Sequence, residues 1–327
     1  MAQFVTRKIE QSFSSESIIF FGTGEVSLSS LKHLSTIYRI EAVITKPDST
    51  NHGKTKYPEV KKWALENSIE LIQPKSKKQL SETFESVRYL SRLAVVIDYG
   101  IIIDQDVIDY FPLGIINSHF SLLPEWRGAD PITFSLLSGQ DETGVSIMRI
   151  DAELDEGDIL AQEGFKIAPD ETNQSLSERL ISLSNKLLQE YLPLYISGKI
   201  NLRPQPSEGI SYAKKIAKSD GELDFNKPAD RLEREVRAYQ PWPGSYTSID
   251  GTVVIVTDAK ISILAVEGLN PGTIILLSKN RLGIVSASYV LEITSLKPQG
   301  KGIMSTSAFL AGRQDLKSKL KLIEAQD

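Results

Sequence analysis

The chain has 327 residues, a length typical of two domains. Hydrophobic residues make up 41%, charged residues 24% and the formal net charge is −5, which excludes a low-complexity or collagen-like chain. The absence of cysteine excludes a disulfide scaffold, a thiolate nucleophile and a cysteine-ligated metal centre. Three histidines are present, so a multi-histidine metal site would need His33, His52 and His119 together.

Neither a membrane span nor a secretory signal is visible. Apolar runs such as Ser17–Phe21 and Ile261–Val266 are far shorter than the roughly 20 residues of a spanning helix. Residues 1–14 lack the apolar core of a secretory signal and are predicted to be a disordered lead-in. We therefore expect a cytoplasmic protein without membrane contact, in a bacterial cytosol in preference to an organelle matrix.

Residues 15–198 alternate short apolar runs with amphipathic stretches, which predicts an α/β domain. The predicted strands are Ser17–Phe21, Glu41–Thr45, Ile69–Ile72, Leu93–Ile97, Gly114–Asn117, Gly144–Ile150 and Asp158–Ile167. The predicted helices are Leu28–Leu34, Val60–Asn67, Gln79–Leu90, Asp106–Phe111 and Ser175–Ile196. This order is typical of a doubly wound, Rossmann-like, mostly parallel sheet, in which ligands bind at the carboxyl ends of the strands.

The second part of the chain has a different pattern. Residues 199–210 mix Pro, Gly and polar side chains, which predicts a linker. Residues 211–327 then begin with a predicted helix, Ala229–Tyr239, and continue with short runs rich in Val, Ile and Thr between tight turns. Those runs are Ser245–Ile249, Thr252–Thr257, Thr273–Ser278, Gly283–Ala287 and Val290–Leu296. Five short strands of this kind predict a small antiparallel barrel resembling an oligonucleotide-binding (OB) fold.

The turn Gly22-Thr23-Gly24 after the first strand is one candidate binding element. A dinucleotide fingerprint needs a third glycine at position 27, which is Ser27. Two glycines between a strand and a helix more often form a tight turn, and that interpretation is favoured here.

The segment Gly114–Pro131 is a stronger candidate. Its strand ends in Asn117-Ser118-His119, and alternate residues of a strand point to the same face. Asn117 and His119 would therefore meet at the sheet edge where ligands bind. An amide donor beside an imidazole can bind a developing oxyanion and handle a proton. The alternative is a structural histidine.

The acidic turn from Ala152 to Asp158 could supply a carboxylate that orients His119. A solvated surface turn is the ordinary interpretation of such a run. A metal site is also conceivable, but one histidine with carboxylates lacks a recognised ligand spacing. A serine hydrolase using Ser121 is disfavoured, because no nucleophile-elbow glycines flank that serine.

The string Asn117-Ser118-His119-Phe120-Ser121-Leu122-Leu123-Pro124, with Leu154-Asp155-Glu156-Gly157-Asp158 downstream, resembles the 10-formyltetrahydrofolate-dependent formyltransferases. The second half resembles the C-terminal domain of the methionyl-tRNA formyltransferase group of that family. The segments that carry this second resemblance are Tyr212–Ile216, Arg237–Pro243, Pro271–Ile274 and Pro298–Met304. The resemblance implies a catalytic domain at 15–198 and an OB-like tRNA-binding domain at 211–327.

The resemblance also implies an activity: transfer of the formyl group of 10-formyltetrahydrofolate to the α-amino group of methionine on initiator tRNA, for translation initiation. By family position, Asn117 would bind the formyl oxygen and His119 would help move a proton. Asp155 would hold His119 in place. The implied partners are initiator methionyl-tRNA and tetrahydrofolate, with no metal in the chemistry, and we expect a monomer.

Binding residues follow from the resemblance in the same way. Those implied for the folate are Ile97, Asp98, Tyr99, Gly100, Ile101, Ile102, Ser121, Leu122, Leu123, Pro124 and Asp151. Those implied for tRNA are Lys54, Lys56, Arg127, Lys214, Lys215 and Lys301.

The chain departs from the family pattern at several positions. Asp98 and Asp130 stand where alanine is common, and Glu125 stands where a basic residue is common. The loop at 49–56 carries lysines where bacterial relatives carry arginines, and lysine makes no bidentate phosphate contact. We therefore expect weaker or differently placed tRNA contacts from this loop, with strong salt dependence.

Three alternatives remain at this level. An N-formyltransferase acting on an amino-sugar nucleotide is disfavoured by the segment 239–243 and by the predicted barrel. A catalytically silent tRNA-binding protein would require a damaged Asn-His-Asp set, and Asn117, His119 and Asp155 are all present. A dehydrogenase-like nucleotide-binding protein lacks the third glycine.

Overall fold

The computed structural model describes residues 16–51, 54–264 and 268–323. The predicted lead-in at 1–14, and His52 and Gly53 of the 49–56 loop, lie outside these ranges. In chain order the first elements are β1 (Ser17–Gly22), α1 (Glu25–Leu34), β2 (Arg39–Ile44), β3 (Ser49–Asn51), β4 (Lys54–Lys56), α2 (Glu59–Glu66), β5 (Glu70–Ile72), α3 (Lys77–Ser86), β6 (Leu93–Ile97), α4 (Gln105–Tyr110), β7 (Ile115–His119), β8 (Arg127–Gly128), α5 (Pro131–Ser138), β9 (Glu142–Arg149), β10 (Ile159–Lys166) and α6 (Asn173–Ile196).

The remaining elements begin after residue 210. They are β11 (Tyr212–Ala213), a 3₁₀ turn at Lys218–Gly221, α7 (Ala229–Ala238), β12 (Ser245–Ile249), β13 (Thr252–Ser262), β14 (Ile274–Ser278), β15 (Arg281–Val285), β16 (Val290–Pro298), β17 (Met304–Ser305), α8 (Thr306–Ala311), α9 (Gln314–Lys319) and β18 (Lys321–Leu322). The predicted strands and helices are present within a few residues of their expected bounds. The sequence does not predict helices α5, α8 and α9 or the short strands β3, β4, β8, β11, β17 and β18.

The chain forms two compact units. The first contains the residues up to 129 together with 144–164 and 179–212. The second contains 130–143, 165–178 and the chain from 213 onward. Two segments that precede the predicted linker, including helix α5, therefore pack with the C-terminal part of the chain.

The main sheet has the strand order β10-β9-β7-β6-β1-β2-β5. Strands β5, β2, β1, β6 and β7 run parallel, and β9 runs antiparallel to β7. The strand order steps outward from β1 in both directions, as in a doubly wound sheet. The predicted mostly parallel α/β fold is therefore confirmed.

The central strands form the core of the first unit. Every residue of β6 and four consecutive residues of β1, Ile18–Phe21, are buried, as expected for parallel strands covered on both faces. Phe21 makes edge contacts with Tyr99 and Phe111 in the layer beside the sheet. This rigid centre fixes β7, which carries Asn117 and His119.

The second unit is built on a sheet with the order β12-β13-β16-β15-β14-β18, with β17 paired to β16. The strands pair antiparallel except at one edge, where β18 runs parallel to β14. Strand β13 runs to Ser262, five residues beyond its predicted end, and pairs with β16 through two register shifts. Helix α7 lays Leu232 and Val236 on the apolar face of this sheet. The C-terminal antiparallel β domain agrees with the prediction.

Candidate active site

His119 is the last residue of β7 and is only 5% exposed. Its Nε2 atom lies 2.9 Å from the carbonyl oxygen of Trp126. Because a carbonyl oxygen only accepts hydrogen bonds, this contact places a proton on Nε2. The other ring nitrogen, Nδ1, is then free to accept a proton or to donate one after protonation.

Asp155 faces that second nitrogen. Its Oδ2 atom lies 3.7 Å from Nδ1 of His119, and the side chain is 15% exposed. The same oxygen accepts a hydrogen bond of 2.8 Å from the backbone N–H of Gly128. The separation from the ring exceeds a direct hydrogen bond but is short enough to stabilise a positive charge on the imidazole.

Asn117 lies two residues before His119 on the same strand and therefore on the same face. Its side chain is half-buried, and it forms no hydrogen bond with any other residue in the described ranges. An amide without a protein partner beside a buried imidazole can donate to a ligand oxygen.

The loop after β7 is held by internal hydrogen bonds. Ser121 is fully buried and donates to the carbonyl oxygen of Glu125 over 2.5 Å. Ser146 on β9 donates to the carbonyl oxygen of Ser121 and accepts from the N–H of Leu123. The Ser121 hydroxyl thus serves the loop, which agrees with the rejection of a serine hydrolase.

One residue of the predicted linker, Gln205, and the residue that follows the linker, Ser211, also contact this site. The two hydrogens of the Gln205 amide nitrogen are donated to the carbonyl oxygens of Asp155, at 2.7 Å, and Gly157, at 2.9 Å. The hydroxyl oxygen of Ser211 accepts from the N–H of Trp126 over 2.9 Å. Sequence reasoning missed both residues, because a polar segment with Pro and Gly carries no signal of its contacts.

Family models match both parts of the chain. The description "Formyl transferase" covers residues 17–192, and "Formyl transferase, C-terminal domain" covers residues 215–314. A methionyl-tRNA formyltransferase from Myxococcus xanthus is 38% identical over 300 residues, which are 91% of this chain and 95% of the relative. The chain belongs to the methionyl-tRNA formyltransferase family. The family predicted from the motifs and its class, a one-carbon group transferase, are confirmed.

Solved structures share the fold. An N-formyltransferase from Helicobacter canadensis, solved with folinic acid and dTDP-3-aminofucose, aligns at a TM-score of 0.63 with 19% identity, over 85% of this chain and 98% of that one. HypX from Aquifex aeolicus, solved with tetrahydrofolic acid, aligns at a TM-score of 0.62 with 16% identity, over 95% of this chain. The aligned chain spans about half, 49%, of the length of HypX.

The segment implied for the folate pteridine follows β6. Ile97 and Tyr99 are buried, whereas Asp98, Gly100 and Ile102 are exposed and Ile101 is half-buried. The backbone turns through left-handed conformations at Asp98 and Gly100, with φ angles of 47° and 72°. Thr23 and Ser27 donate their hydroxyls to the carbonyl oxygens of Tyr99 and Ile97, over 3.0 and 2.6 Å. These bonds fix the segment.

The turn Gly22-Thr23-Gly24 is explained by packing. A Cβ on Gly22 would lie 2.6 Å from Cβ of Ser27, and one on Gly24 would lie 2.7 Å from Oδ2 of Asp98. Any other residue at either position would therefore crowd a neighbour, because the side chains of Ser27 and Asp98 occupy the space that a Cβ atom would need. The structure favours the tight-turn interpretation over a nucleotide-binding loop.

The other folate candidates occupy two loops. Ser121, Leu123 and Pro124 are buried, and Leu122 is half-buried. Asp151 is exposed, and its Oδ1 atom accepts the N–H of Glu153 over 3.1 Å.

Five of the six residues implied for tRNA contact are exposed lysines. Lys54 and Lys56 lie on β4, which pairs with β3 in a two-stranded ribbon. Lys215 and Lys301 are exposed, and Lys214 lies 3.7 Å from Asp220. The sixth residue, Arg127, is only 4% exposed. Its guanidinium donates to Oε1 of Gln205 and, over 2.7 Å, to Glu156.

Asp130, a departure from the family pattern, lies in the second unit at the start of α5. Its Oδ2 atom accepts the N–H of Ile216 over 3.0 Å. Burial raises the pKa of the Asp130 carboxyl, opposed in part by that N–H and by Lys215. Asp130 therefore has a structural role, because it binds the backbone of the 215–216 segment.

Within the described ranges, no group of three or more His, Asp or Glu side chains could hold a metal ion. Helices long and apolar enough to cross a membrane are likewise absent from those ranges.

Proposed function

We propose that this chain transfers the formyl group of 10-formyltetrahydrofolate to the α-amino group of methionine esterified to initiator tRNA. One observation carries the proposal. His119 is buried between the Trp126 carbonyl and the Asp155 carboxylate, in a member of the methionyl-tRNA formyltransferase family. Beside it lies the Asn117 amide, which has no hydrogen-bond partner among the residues that the structure describes.

The reaction exchanges one C–N bond for another. The amine nitrogen of methionine attacks the formyl carbon, and the carbonyl oxygen becomes an oxyanion. The bond from that carbon to N10 of the folate then breaks. One proton leaves the amine nitrogen and one arrives at N10, so the products are formylmethionyl-tRNA and tetrahydrofolate. An α-amino group titrates near about 7.7–8.0, so a neutral fraction exists at cytosolic pH.

Three side chains take part in these reaction steps. The Asn117 amide donates to the oxyanion, the stage at which a preorganised donor contributes most. His119 accepts a proton at Nδ1 from the attacking nitrogen and passes it toward N10. The Asp155 carboxylate stabilises the imidazolium that forms and keeps the ring oriented. No metal takes part.

The folate and tRNA contacts remain proposals. The backbone of 97–102 and the loops at 121–124 and 151–155 bind the folate. In the first two segments the main-chain groups lie beside buried apolar side chains such as Ile97 and Leu123, whereas the side chains at 151–154 are exposed and open to a ligand. The exposed lysines at 54, 56, 214, 215 and 301 neutralise tRNA phosphates. Arg127 is removed from that set, because its guanidinium is buried and already paired.

The remaining attributes follow the family. Residues 15–198 carry the chemistry and residues 211–327 bind tRNA. The protein acts as a monomer in a bacterial cytosol, where its substrate tRNA is charged.

The test is formyl transfer from 10-formyltetrahydrofolate to methionine-charged initiator tRNA. His119→Ala is compared with His33→Asn, which changes a histidine of α1. Uncharged tRNA and an amino-sugar nucleotide serve as alternative acceptors. We expect transfer to charged tRNA alone, lost in His119→Ala and kept in His33→Asn. Transfer to the sugar would overturn the proposed substrate. Binding of tRNA without transfer to any acceptor would indicate the silent binding protein.

A further inference from the structure

Residues 199–212, which contain the predicted linker at 199–210, belong to the first unit. Arg203 and Ile159 exchange two backbone hydrogen bonds, of 2.7 and 2.9 Å, at the start of β10. At the other end of the segment, the carbonyl of Ser211 accepts the N–H of Arg127 over 2.9 Å. The segment therefore contacts both loops that flank His119.

Gln205 lies between these two attachments, and its amide is fully used. Nε2 donates to the carbonyl oxygens of Asp155 and Gly157. Oε1 accepts from Nε of Arg127 at 3.3 Å and from Nη2 at 2.9 Å. Two donors and one acceptor oxygen in this arrangement are the chemistry of a primary amide. A carboxylate of the same shape could keep the Arg127 contact but could donate nothing to the two carbonyls.

The residue that Gln205 holds has an unfavourable backbone. Asp155 has a φ of 54°, in the left-handed region that side chains other than glycine seldom adopt. Such conformations persist only where the surroundings enforce them, and they cluster at functional sites. Two hydrogen bonds hold Asp155 in this conformation. Gln205 donates one to its carbonyl oxygen, and the N–H of Gly128 donates the other to its carboxylate.

A second path joins Gln205 to the same turn. Arg127 donates to Gln205 on one side and to Glu156 on the other. Glu156 is the neighbour of Asp155, so the main chain at 155–157 is attached to Gln205 directly and through Arg127. Because Arg127 is buried, exchange of its partners for water is restricted.

We propose that Gln205 is a positioning residue for Asp155. It holds the turn at 155–157 in the one backbone conformation that presents the Asp155 carboxylate to Nδ1 of His119. Its effect on rate rests on the function proposed above, whereas its effect on geometry does not.

The kinetic test compares Gln205→Glu, which keeps the shape and removes both donors, with Ser207→Ala, an exposed linker position. Gln205→Met provides a neutral variant of the same length. We expect kcat to fall about 10–100-fold in both Gln205 variants, as for a small displacement of a reacting group, with KM for folate and tRNA changed less than threefold. Ser207→Ala should match the parent. A Gln205→Glu or Gln205→Met enzyme as active as Ser207→Ala would overturn the proposal.

A double-mutant cycle separates positioning from general stability. In an Asp155→Asn background, the Gln205→Met change should lower kcat less than twofold, because the carboxylate it positions is already gone. An additive loss in that background would show that Gln205 acts by another route.

A third readout needs no activity. The chain has three histidines, so the imidazole ¹⁵N spectrum is simple, and the His119 signals are assigned by their loss in His119→Ala. In Gln205→Met the His119 Nδ1 shift should move toward its value in Asp155→Asn. An unchanged shift in a folded variant would overturn the proposal. A moved shift in a protein that formylates no acceptor would support the positioning while refuting the proposed function.

Discussion

Trp126 and Asp155, which lie on opposite sides of the His119 ring, share a left-handed backbone, with φ angles of 56° and 54°. Each is held by a residue of the same segment, Trp126 by Ser211 and Asp155 by Gln205. The position of the His119 imidazole therefore depends on two costly backbone conformations that lie 29 residues apart in the chain. Asp155 therefore contributes in two ways, through the charge of its carboxylate and through its left-handed backbone, and different substitutions can test the two contributions.

Substitutions of Asp155 should differ according to their backbone preference. Asn tolerates the left-handed region better than Ala does, so we expect Asp155→Ala to be about 1 kcal/mol less stable than Asp155→Asn. Both should lose at least about 100-fold in kcat, since neither carries the charge that faces His119. Urea unfolding and single-turnover transfer measure the two effects. Equal stabilities would indicate that the turn relaxes freely.

Replacing Asn117 should separate catalysis from stability. Its amide has no hydrogen-bond partner among the described residues, so Asn117→Ala removes no protein contact of that kind. We expect kcat to fall about 10²–10³-fold, the usual effect of losing an oxyanion donor, with the melting temperature within about 2 °C of the parent. Steady-state kinetics and thermal unfolding check both numbers. A large loss of stability would assign the amide a structural role.

Replacing Arg127 should lower stability, in contrast to replacing Asn117. Arg127→Met leaves the Oε1 atom of Gln205 without its donor and removes the pairing with Glu156. We expect a loss of about 1–3 kcal/mol in unfolding free energy. The salt dependence of tRNA binding should not change. Filter binding at several salt concentrations gives the slope, and a slope reduced by about 1 would instead indicate a phosphate contact by this residue.

Substitutions in the β3–β4 ribbon should change the salt dependence of tRNA binding and leave stability unchanged. Lys54 and Lys56 are exposed and alternate on one strand, so they lie on one face. We expect Lys54→Gln with Lys56→Gln to lower the salt slope of tRNA binding by up to about 2 without a change in stability. Lys78→Gln, at an exposed position of α3, is the matched control. A slope equal to that of the control would move the tRNA contact away from the ribbon.

Asp130 should make stability depend on pH in a defined direction. Burial raises the pKa of its carboxyl, so the folded protein holds this proton more tightly than the unfolded chain does. Between the ordinary aspartate pKa, near about 3.9, and the raised pKa of the folded protein, the contribution of Asp130 to the free energy of unfolding falls as pH rises. Above the raised pKa this contribution no longer changes with pH. Asp130→Asn removes the effect while keeping an oxygen for the Ile216 N–H.

The measurement is the melting temperature of the parent and Asp130→Asn from pH 4 to pH 7. The melting temperature of the variant should rise relative to that of the parent as pH increases. A variant that loses stability relative to the parent over this range would contradict the assigned direction.

Much of the fold could be predicted from the sequence because the main strands are apolar and of ordinary length. Leu93–Ile97 was predicted with the same bounds that the structure has. Asn117, His119 and Asp155 could be proposed from the sequence because their motifs are specific, and the structure places Asp155 beside the His119 ring. These features are local, so a single chain displays them.

Features that depend on distant contacts could not be predicted. Arg127 is a charged residue in a loop, for which exposure is the ordinary expectation, and its partner Gln205 lies 78 residues away. The 199–210 segment carries neither an apolar period nor a motif, although it contacts two loops of the site. The placement of helix α5 in the second unit depends on packing against α7, which only the three-dimensional structure shows.

The attachment of residues 203–211 to the loops around His119 limits how this protein can be recombined. A chimera that joins its first 198 residues to a foreign C-terminal domain would replace Gln205 and Ser211 with unrelated residues. The chimera would then lose the contacts that hold both left-handed turns beside the imidazole, even though Asn117, His119 and Asp155 are retained. A crossover placed after residue 212 keeps both turns, so exchange of acceptor specificity between relatives should succeed only when this segment travels with the catalytic part.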